Sequence, residues 1–176
     1  VIGHPISHSK SPLIHNYWIE KYGLAGCYEA IDIAPETLGD SLKRLIDDGY
    51  TGFNFTLPHK ELVINLCDEV EHIAEVTGAV NTVAVRDGKL YGFNTDSYGF
   101  LTNIKQAAPT FELNLGAAVV LGAGGAARAV ISGLMAAQVP EIILMNRTKA
   151  KAEALRDEMD MGTELIRVID WEDRAS

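Results

Sequence analysis

The run Gly122-Ala123-Gly124-Gly125-Ala126-Ala127 has the spacing of a phosphate-cradling turn. It follows the apolar run Ala117-Ala118-Val119-Val120-Leu121 and opens a helical pattern, which is the strand-turn-helix setting such a loop needs. Gly122 permits the tight turn, Gly124 has no Cβ to block a pyrophosphate, and Ala127 lets helix and strand pack closely. The helix start aims unpaired N–H groups at an anion. A dinucleotide site is therefore expected, with a purely structural turn as the alternative. The next strand runs into Asn146-Arg147-Thr148, 24 residues beyond Gly122. An NAD site places an acid there to accept hydrogen bonds from the ribose 2′-hydroxyl. Between Asn146 and Ala152 there is no acid; Arg147, Lys149 and Lys151 stand there instead. A guanidinium and a hydroxyl at a strand end suit a 2′-phosphate, so NADP is expected over NAD. The bland alternative is a solvated basic helix start.

A second group of polar residues lies in the first half. Gly3-His4-Pro5-Ile6-Ser7-His8-Ser9-Lys10-Ser11-Pro12 concentrates hydroxyls and imidazoles in one loop, and Asn54-Phe55-Thr56-Leu57-Pro58-His59-Lys60 does the same at another strand end. Gly78-Ala79-Val80-Asn81-Thr82 and Asn94-Thr95-Asp96 add amides and a carboxylate. If the strands are parallel neighbours, these loops converge at the carboxyl edge, where open α/β sheets bind ligands. Hydroxyls and amides beside one lysine and one acid suit a small polyhydroxylated acid. Hydride arriving at a ketone carbon builds negative charge on its oxygen, and Lys60 can meet it. Asp96, 36 positions further on, can orient the ammonium and share the proton traffic. Each has a structural alternative: Asp96 and Ser11 as helix caps, Lys60 as a surface lysine, Ser9 as a partner for loop backbone. His8 and His15 read as structural, and the five histidines show no metal-ligand spacing, so no metal is expected.

The elements that must position these residues alternate between two periodicities. Helical spacing covers residues 12–22, 36–48, 59–66, 70–76, 96–107, 126–138 and 149–159, with Thr95 or Asp96 as a cap for the fifth. Strand patterns cover 27–33, 51–57, 80–86, 89–93, 117–121, 141–145 and 165–169, with Val1-Ile2 as a strand tail. Asp87-Gly88 marks a two-residue hairpin, and 117–121 reads as a buried strand. Strands separated by helices imply a mostly parallel sheet with helices on both faces.

Composition removes several function classes. Fifteen Lys and Arg against 24 Asp and Glu give a net charge of -9, which repels phosphate backbones and disfavours nucleic-acid binding. Two cysteines, Cys27 and Cys67, make no disulfide framework, and a reducing, cytoplasmic setting is expected. The 25 residues 115–139 are long and apolar enough to span a bilayer, but Arg128 sits mid-segment and five glycines interrupt the run, so no membrane partner is expected.

In combination these residues resemble the shikimate dehydrogenases, NADP-dependent enzymes of aromatic amino-acid biosynthesis. The resemblance rests on Gly3-x-Pro5-x-x-His8-Ser9-x-Ser11-Pro12-x-x-His15-Asn16, Asn54-x-Thr56-x-Pro58-x-Lys60 and Gly78-Ala79-x-Asn81-Thr82. Asn94-Thr95-Asp96, the 122–125 loop and Asn146-Arg147-Thr148 complete it in family order. It implies an α/β chain: an open, mostly parallel substrate domain over 1–95, a connecting helix and linker over 96–114, and an incomplete Rossmann-type NADP-binding domain over 115–176. The implied activity is reversible NADPH-dependent reduction of 3-dehydroshikimate to shikimate. Ser9 and Ser11 would hold the substrate carboxylate; Thr56, Asn81 and Asp96 would bind ring hydroxyls together with Lys60; Lys60 and Asp96 would form the catalytic pair. Gly122, Ala123, Gly124, Gly125 and Ala126 would line the phosphates, and Asn146, Arg147, Thr148 and Lys151 would face the adenosine 2′-phosphate. A monomer or homodimer is expected. Both ends depart from the family pattern: the chain opens without Met inside a strand, and after Ser176 the rest of the nucleotide sheet and a C-terminal helix with a substrate-binding glutamine are missing. Weak cofactor binding and slow or no turnover are therefore expected of the chain as written. The rivals are a quinate/shikimate dehydrogenase using NAD or NADP, a non-catalytic nucleotide-binding regulatory module, and, more distantly, a folate-linked NADP dehydrogenase.

Overall fold

In a computed structural model, which describes residues 1–160 and 162–173, apolar alternation and helical spacing sort the chain into two units with separate cores. Of the expected second domain, positions 161 and 174–176 lie outside the described residues. The first unit comprises Val1–Ala74 and Ala79–Phe93; the second takes Glu75–Gly78 and the chain from Asn94 onward. Within the second unit Asn94 Nδ2 donates to Thr77 Oγ1 at 3.1 Å, both side chains being buried, which ties Glu75–Gly78 to the start of the later segment.

The first unit contains β1 (Ile2–Gly3), α1 (Ser11–Lys21), β2 (Ile31–Asp32), α2 (Leu38–Asp47), β3 (Gly52–Asn54), β4 (Glu69–Val70), β5 (Thr82–Arg86) and β6 (Lys89–Phe93). The helix α3 (His72–Thr77) leads out of it. β1 pairs parallel with β2, and a single parallel bridge from Ile2 to Phe55 ties β1 to the end of β3. β5 lies antiparallel between β3 and β6, and β4 pairs parallel with β6. The strands therefore succeed one another as β2-β1-β3-β5-β6-β4, and β5 alone is reversed. The hairpin reverses it: Asp87 and Gly88 take φ of 51° and 75°, the left-handed pair of a two-residue turn. That reversal has a functional consequence. The segment entering β5 lies at the same edge as the segments leaving β1, β3 and β6. Ile2, Phe53, Phe55, Val63, Val80 and Val83 form the core beneath.

The second unit runs α4 (Asp96–Ala107), β7 (Ala118–Leu121), α5 (Gly125–Ala136), β8 (Ile142–Met145), α6 (Lys149–Met159) and β9 (Ile166–Val168). Its three strands are parallel in the order β7-β8-β9, the arrangement of a nucleotide-binding α/β sheet. Val120, Ile142 and Leu144 pack with Ile131, Leu134, Ala152 and Leu155 from α5 and α6. α4 and α5 approach closely at Gly133, where a Cβ would stand 3.2 Å from Ser97 Oγ.

Several elements differ from their sequence pattern. The strand expected over 27–33 shrinks to Ile31–Asp32, because the Tyr28 backbone is claimed at both N–H and C=O by the Asn16 side chain, each at 2.8 Å. Residues 59–66 form turns and a short 3-10 helix, Val63–Leu66, and the helix expected over 70–76 begins only at His72, with Val70 in the strand Glu69–Val70. β7 is not the buried strand that its apolar run suggests: Val119 is 58% and Leu121 64% exposed. α5 and α6 cover the face that Val120 points to, and strand alternation turns Val119 and Leu121 to the other. Thr95 stands at the N-cap position of α4 as expected, but no side-chain cap bond forms at α1 or α4. Ser11 begins α1 without capping it, and the N–H of Asp96 is met by Asn94 Oδ1 at 3.0 Å.

Candidate functional site

At the carboxyl edge of the first unit, backbone hydrogen bonds lace the polar loops together. Thr56 N–H donates to Ile2 C=O at 3.0 Å and His4 N–H to Leu57 C=O at 3.1 Å. Phe55 N–H donates to Asn81 C=O, and Val80 N–H to Lys60 C=O, both at 2.8 Å. The loops carrying Ser9 and Ser11, Thr56 and Lys60, and Asn81 are thus one backbone network. Gly3 is the tightest point: a Cβ there would lie 2.6 Å from Thr56 Cγ2 and 2.7 Å from Ile6 Cδ1.

Asp32 holds the serine loop from the side. His4 Nδ1–H donates to Asp32 Oδ1 at 2.6 Å and Ile6 N–H to Oδ2 at 3.1 Å. These two bonds, the His4 bond foremost, keep the Asp32 carboxyl below the ordinary aspartate range. Beyond Ile6 the loop turns through Ser9 N–H to Ile6 C=O at 2.9 Å, and Ser9 Oγ accepts the Ser11 N–H at 3.3 Å. Ser9, Ser11, Thr56 and Lys60 are half-buried, and Asn81 is buried. His59, next to Lys60, is fully buried and donates Nε2–H to Ile33 C=O at 2.8 Å, which makes it structural. His15 is structural too: it stacks on Tyr28 at 4.2 Å, and burial lowers its pKa.

In the second unit, Leu121 and Met145 are partners in register, so the strand ends are level. Gly122 N–H donates to Met145 C=O at 2.7 Å and draws the glycine turn against Asn146. Gly122 has φ of 115°, a conformation that L side chains rarely adopt, and nothing lies within 4 Å of a Cβ at Gly122 or Gly124. An open space above the turn and the N–H groups of α5 are what a pyrophosphate needs, so the residues present fit a dinucleotide. Asn146 Nδ2 donates to Thr148 C=O at 2.8 Å and closes the following turn. Arg147, Thr148 and Lys151 are exposed there. Lys149, the third cation of the cluster, is drawn aside by Asp170 at 2.9 Å.

The structure thus brings Ser9, Ser11, Thr56, Lys60 and Asn81 to one edge of the first unit. It brings Gly122, Ala123, Gly124, Gly125 and Ala126 together with Asn146, Arg147, Thr148 and Lys151 at one edge of the second. Asp96 opens α4, three residues past the end of β6. Sequence reasoning missed Tyr28 and Asp32 as site-supporting residues. Each acts on a partner far along the chain or through a side chain, and no local pattern announces that.

Comparison with known proteins bears on the same residues. The family model described as "Shikimate dehydrogenase substrate binding domain" matches residues 1–83, and "Shikimate / quinate 5-dehydrogenase" matches residues 105–174. The chain is 50% identical over 172 residues to a Cereibacter sphaeroides protein named shikimate dehydrogenase (NADP(+)), covering 97% of this chain and 61% of that one. A crystal structure of shikimate dehydrogenase from Aquifex aeolicus superposes with TM-score 0.87 at 41% identity, covering 96% of this chain and 60% of the other. The Thermus thermophilus enzyme in complex with NADP(H) and shikimate gives TM-score 0.83 at 42% identity, covering 96% and 60%. The chain therefore spans about three fifths of the length of these relatives. On the strength of both matched regions and the shared fold, this chain belongs to the shikimate dehydrogenase family.

Proposed function

We propose that the protein carrying this chain interconverts 3-dehydroshikimate and shikimate with NADP(H). One observation carries the reading: the Val80 N–H to Lys60 C=O bond of 2.8 Å, with the Asn81 C=O held by Phe55, fixes a lysine, a threonine and an asparagine at a single strand edge. Ser9 and Ser11 offer hydroxyls for a carboxylate, and Thr56 and Asn81 offer partners for ring hydroxyls. NADPH, when bound at the 122–126 turn with its 2′-phosphate toward Asn146, Arg147, Thr148 and Lys151, supplies the hydride that reduces the ketone. Lys60 holds positive charge and a proton at the ketone oxygen as charge develops there. Asp96 completes the proposed catalytic pair as the group that takes up the proton in the reverse direction.

In this reading residues 1–95 hold the substrate, 96–114 connect, and 115–176 hold the cofactor. The protein is cytoplasmic, a monomer or homodimer, without nucleic-acid or membrane partners. The net charge of -9 supports the exclusion of nucleic acid. Among the described residues no helix is long and apolar enough to cross a membrane. The test is the initial rate of nicotinamide reduction by the full-length protein that contains this sequence, with shikimate or quinate and with NADP or NAD. Faster turnover of shikimate with NADP is expected. No turnover, or equal use of NAD, overturns the assignment of the substrate or of Arg147.

A further inference from the structure

Four polar side chains from three segments of the first unit form a chain in which each donates to the next. Tyr28 O–H donates to Asn54 Oδ1 at 2.6 Å, Asn54 Nδ2 to Thr82 Oγ1 at 3.0 Å, and Thr82 O–H to Asn81 Oδ1 at 2.9 Å. Taken alone, such a chain is equally consistent when every donor and acceptor is exchanged, because amides and hydroxyls have both capacities. A fourth contact removes the ambiguity. Asn54 Nδ2 also reaches the Asn81 backbone C=O, at 3.4 Å, and a carbonyl can only accept. The NH2 of Asn54 must therefore face Thr82 and Asn81, so its Oδ1 faces Tyr28 and Tyr28 must donate. Thr82 Oγ1 accepts from Asn54, and Asn81 Oδ1 at 2.9 Å is the acceptor for its own proton, so a reversed Asn81 amide would leave that proton without one.

We infer that Tyr28 and Thr82 are positioning residues that fix which way the Asn81 amide faces. Asn81 then meets a ligand through its Nδ2 as a hydrogen-bond donor, and its oxygen is withheld. The ligand group it selects is an acceptor oxygen. This inference rests on the function proposed above for the identity of the ligand; the orientation itself does not depend on it.

The rest of the structure around the relay agrees. Asn81 is held on its backbone as well, its N–H donating to Phe93 C=O at 3.0 Å and its C=O accepting from Phe55 at 2.8 Å, so its side chain starts from a fixed Cα. Tyr28, at the far end, is gripped by the two Asn16 amide bonds of 2.8 Å and by the stacked ring of His15. Burial raises the Tyr28 pKa to about 12, so its hydroxyl keeps the proton that the relay needs. Bonds aligned head to tail polarise one another, and loss of the first weakens the last.

The test uses the full-length protein containing this sequence, with the variants Tyr28→Phe, Thr82→Val and Thr82→Ser. The first readout is the side-chain amide NMR signal pair of Asn81, which needs no turnover. Tyr28→Phe and Thr82→Val move it, and Thr82→Ser leaves it near its wild-type position. The second readout is steady-state kinetics. KM for shikimate rises roughly three- to tenfold in Thr82→Val, on the scale of one lost hydrogen bond, while KM for NADP stays unchanged and Thr82→Ser restores the value. Unmoved Asn81 signals in both Tyr28→Phe and Thr82→Val overturn the relay. So does a Thr82→Ser variant as impaired as Thr82→Val, which would make the threonine a packing residue. If the wild-type protein does not turn over shikimate, the proposed function fails and the amide signals alone decide the relay.

Discussion

Lys60 owes its position to its backbone: its carbonyl accepts from Val80 at 2.8 Å, so replacing the side chain leaves the loop in place. Lys60→Ala in the full-length protein is expected to lower kcat by about 10²–10³-fold, the scale of one lost electrostatic stabiliser, with NADP affinity unchanged. A loss below tenfold would take Lys60 out of the chemistry. Arg147 bears on cofactor choice in the same direct way. Lys149 is committed to Asp170, so Arg147→Ala is expected to raise KM for NADP at least tenfold while KM for NAD hardly moves. Comparable losses with both cofactors would leave the 2′-phosphate without a reader at this position. His59 acts on stability. Its ring is fully buried with Nε2–H on Ile33 C=O, and burial lowers its pKa below the ordinary histidine value. The folded state thus binds a proton less readily than the unfolded chain. The stability this neutral ring contributes is fully present above about pH 6.5 and declines as pH falls through the depressed folded value. Denaturant midpoints between about pH 7.5 and pH 5 check this: the decline is shallower in His59→Gln, and equal slopes in both proteins would remove His59 as the source.

Gly3 joins two elements at the end of β1, where a methyl group would meet Thr56 and Ile6 at under 3 Å. Gly3→Ala is therefore expected to destabilise the first unit by about 1–3 kcal/mol and to raise KM for shikimate, because the serine loop and the Thr56 loop must part. Unchanged melting and KM would mean that the loops are looser than their hydrogen bonds imply. What was legible at this scale follows from how local the cause is. The Asp87-Gly88 hairpin could be read because both residues accept positive φ, and α5 and β8 because their apolar spacing is long and regular. β4 could not, since two residues carry no period; it is a strand only because Tyr91 and Gly92 lie beside it. Residues 27–30 alternate as a strand should, but Asn16, twelve positions before Tyr28, takes the backbone groups first. The candidate site divides in the same way. Ser9, Lys60 and Gly122 stand in loops with recognisable composition, whereas Tyr28 matters through Asn54, 26 positions away.

Among the described residues, two cores form that share no residue. Phe55 lies in the first with Ile2, Val63 and Val83, and Leu144 in the second with Ile131, Ile142 and Leu155. Each unit can therefore lose its own packing without emptying the other's. Phe55→Ala is expected to cost about 3–5 kcal/mol and Leu144→Ala about 2–5 kcal/mol, the transfer and cavity terms of buried side chains. Native-state hydrogen exchange can assign each loss to its place. Phe55→Ala lowers protection in β1, β3 and β5, and Leu144→Ala lowers it in β7, β8 and α5, with the double variant additive to within about 0.5 kcal/mol. If Leu144→Ala lowered protection in β3 as much as in β8, the two cores would unfold as one. The polar loops of the first unit would then owe their stability to more than the main-chain bonds of their own sheet.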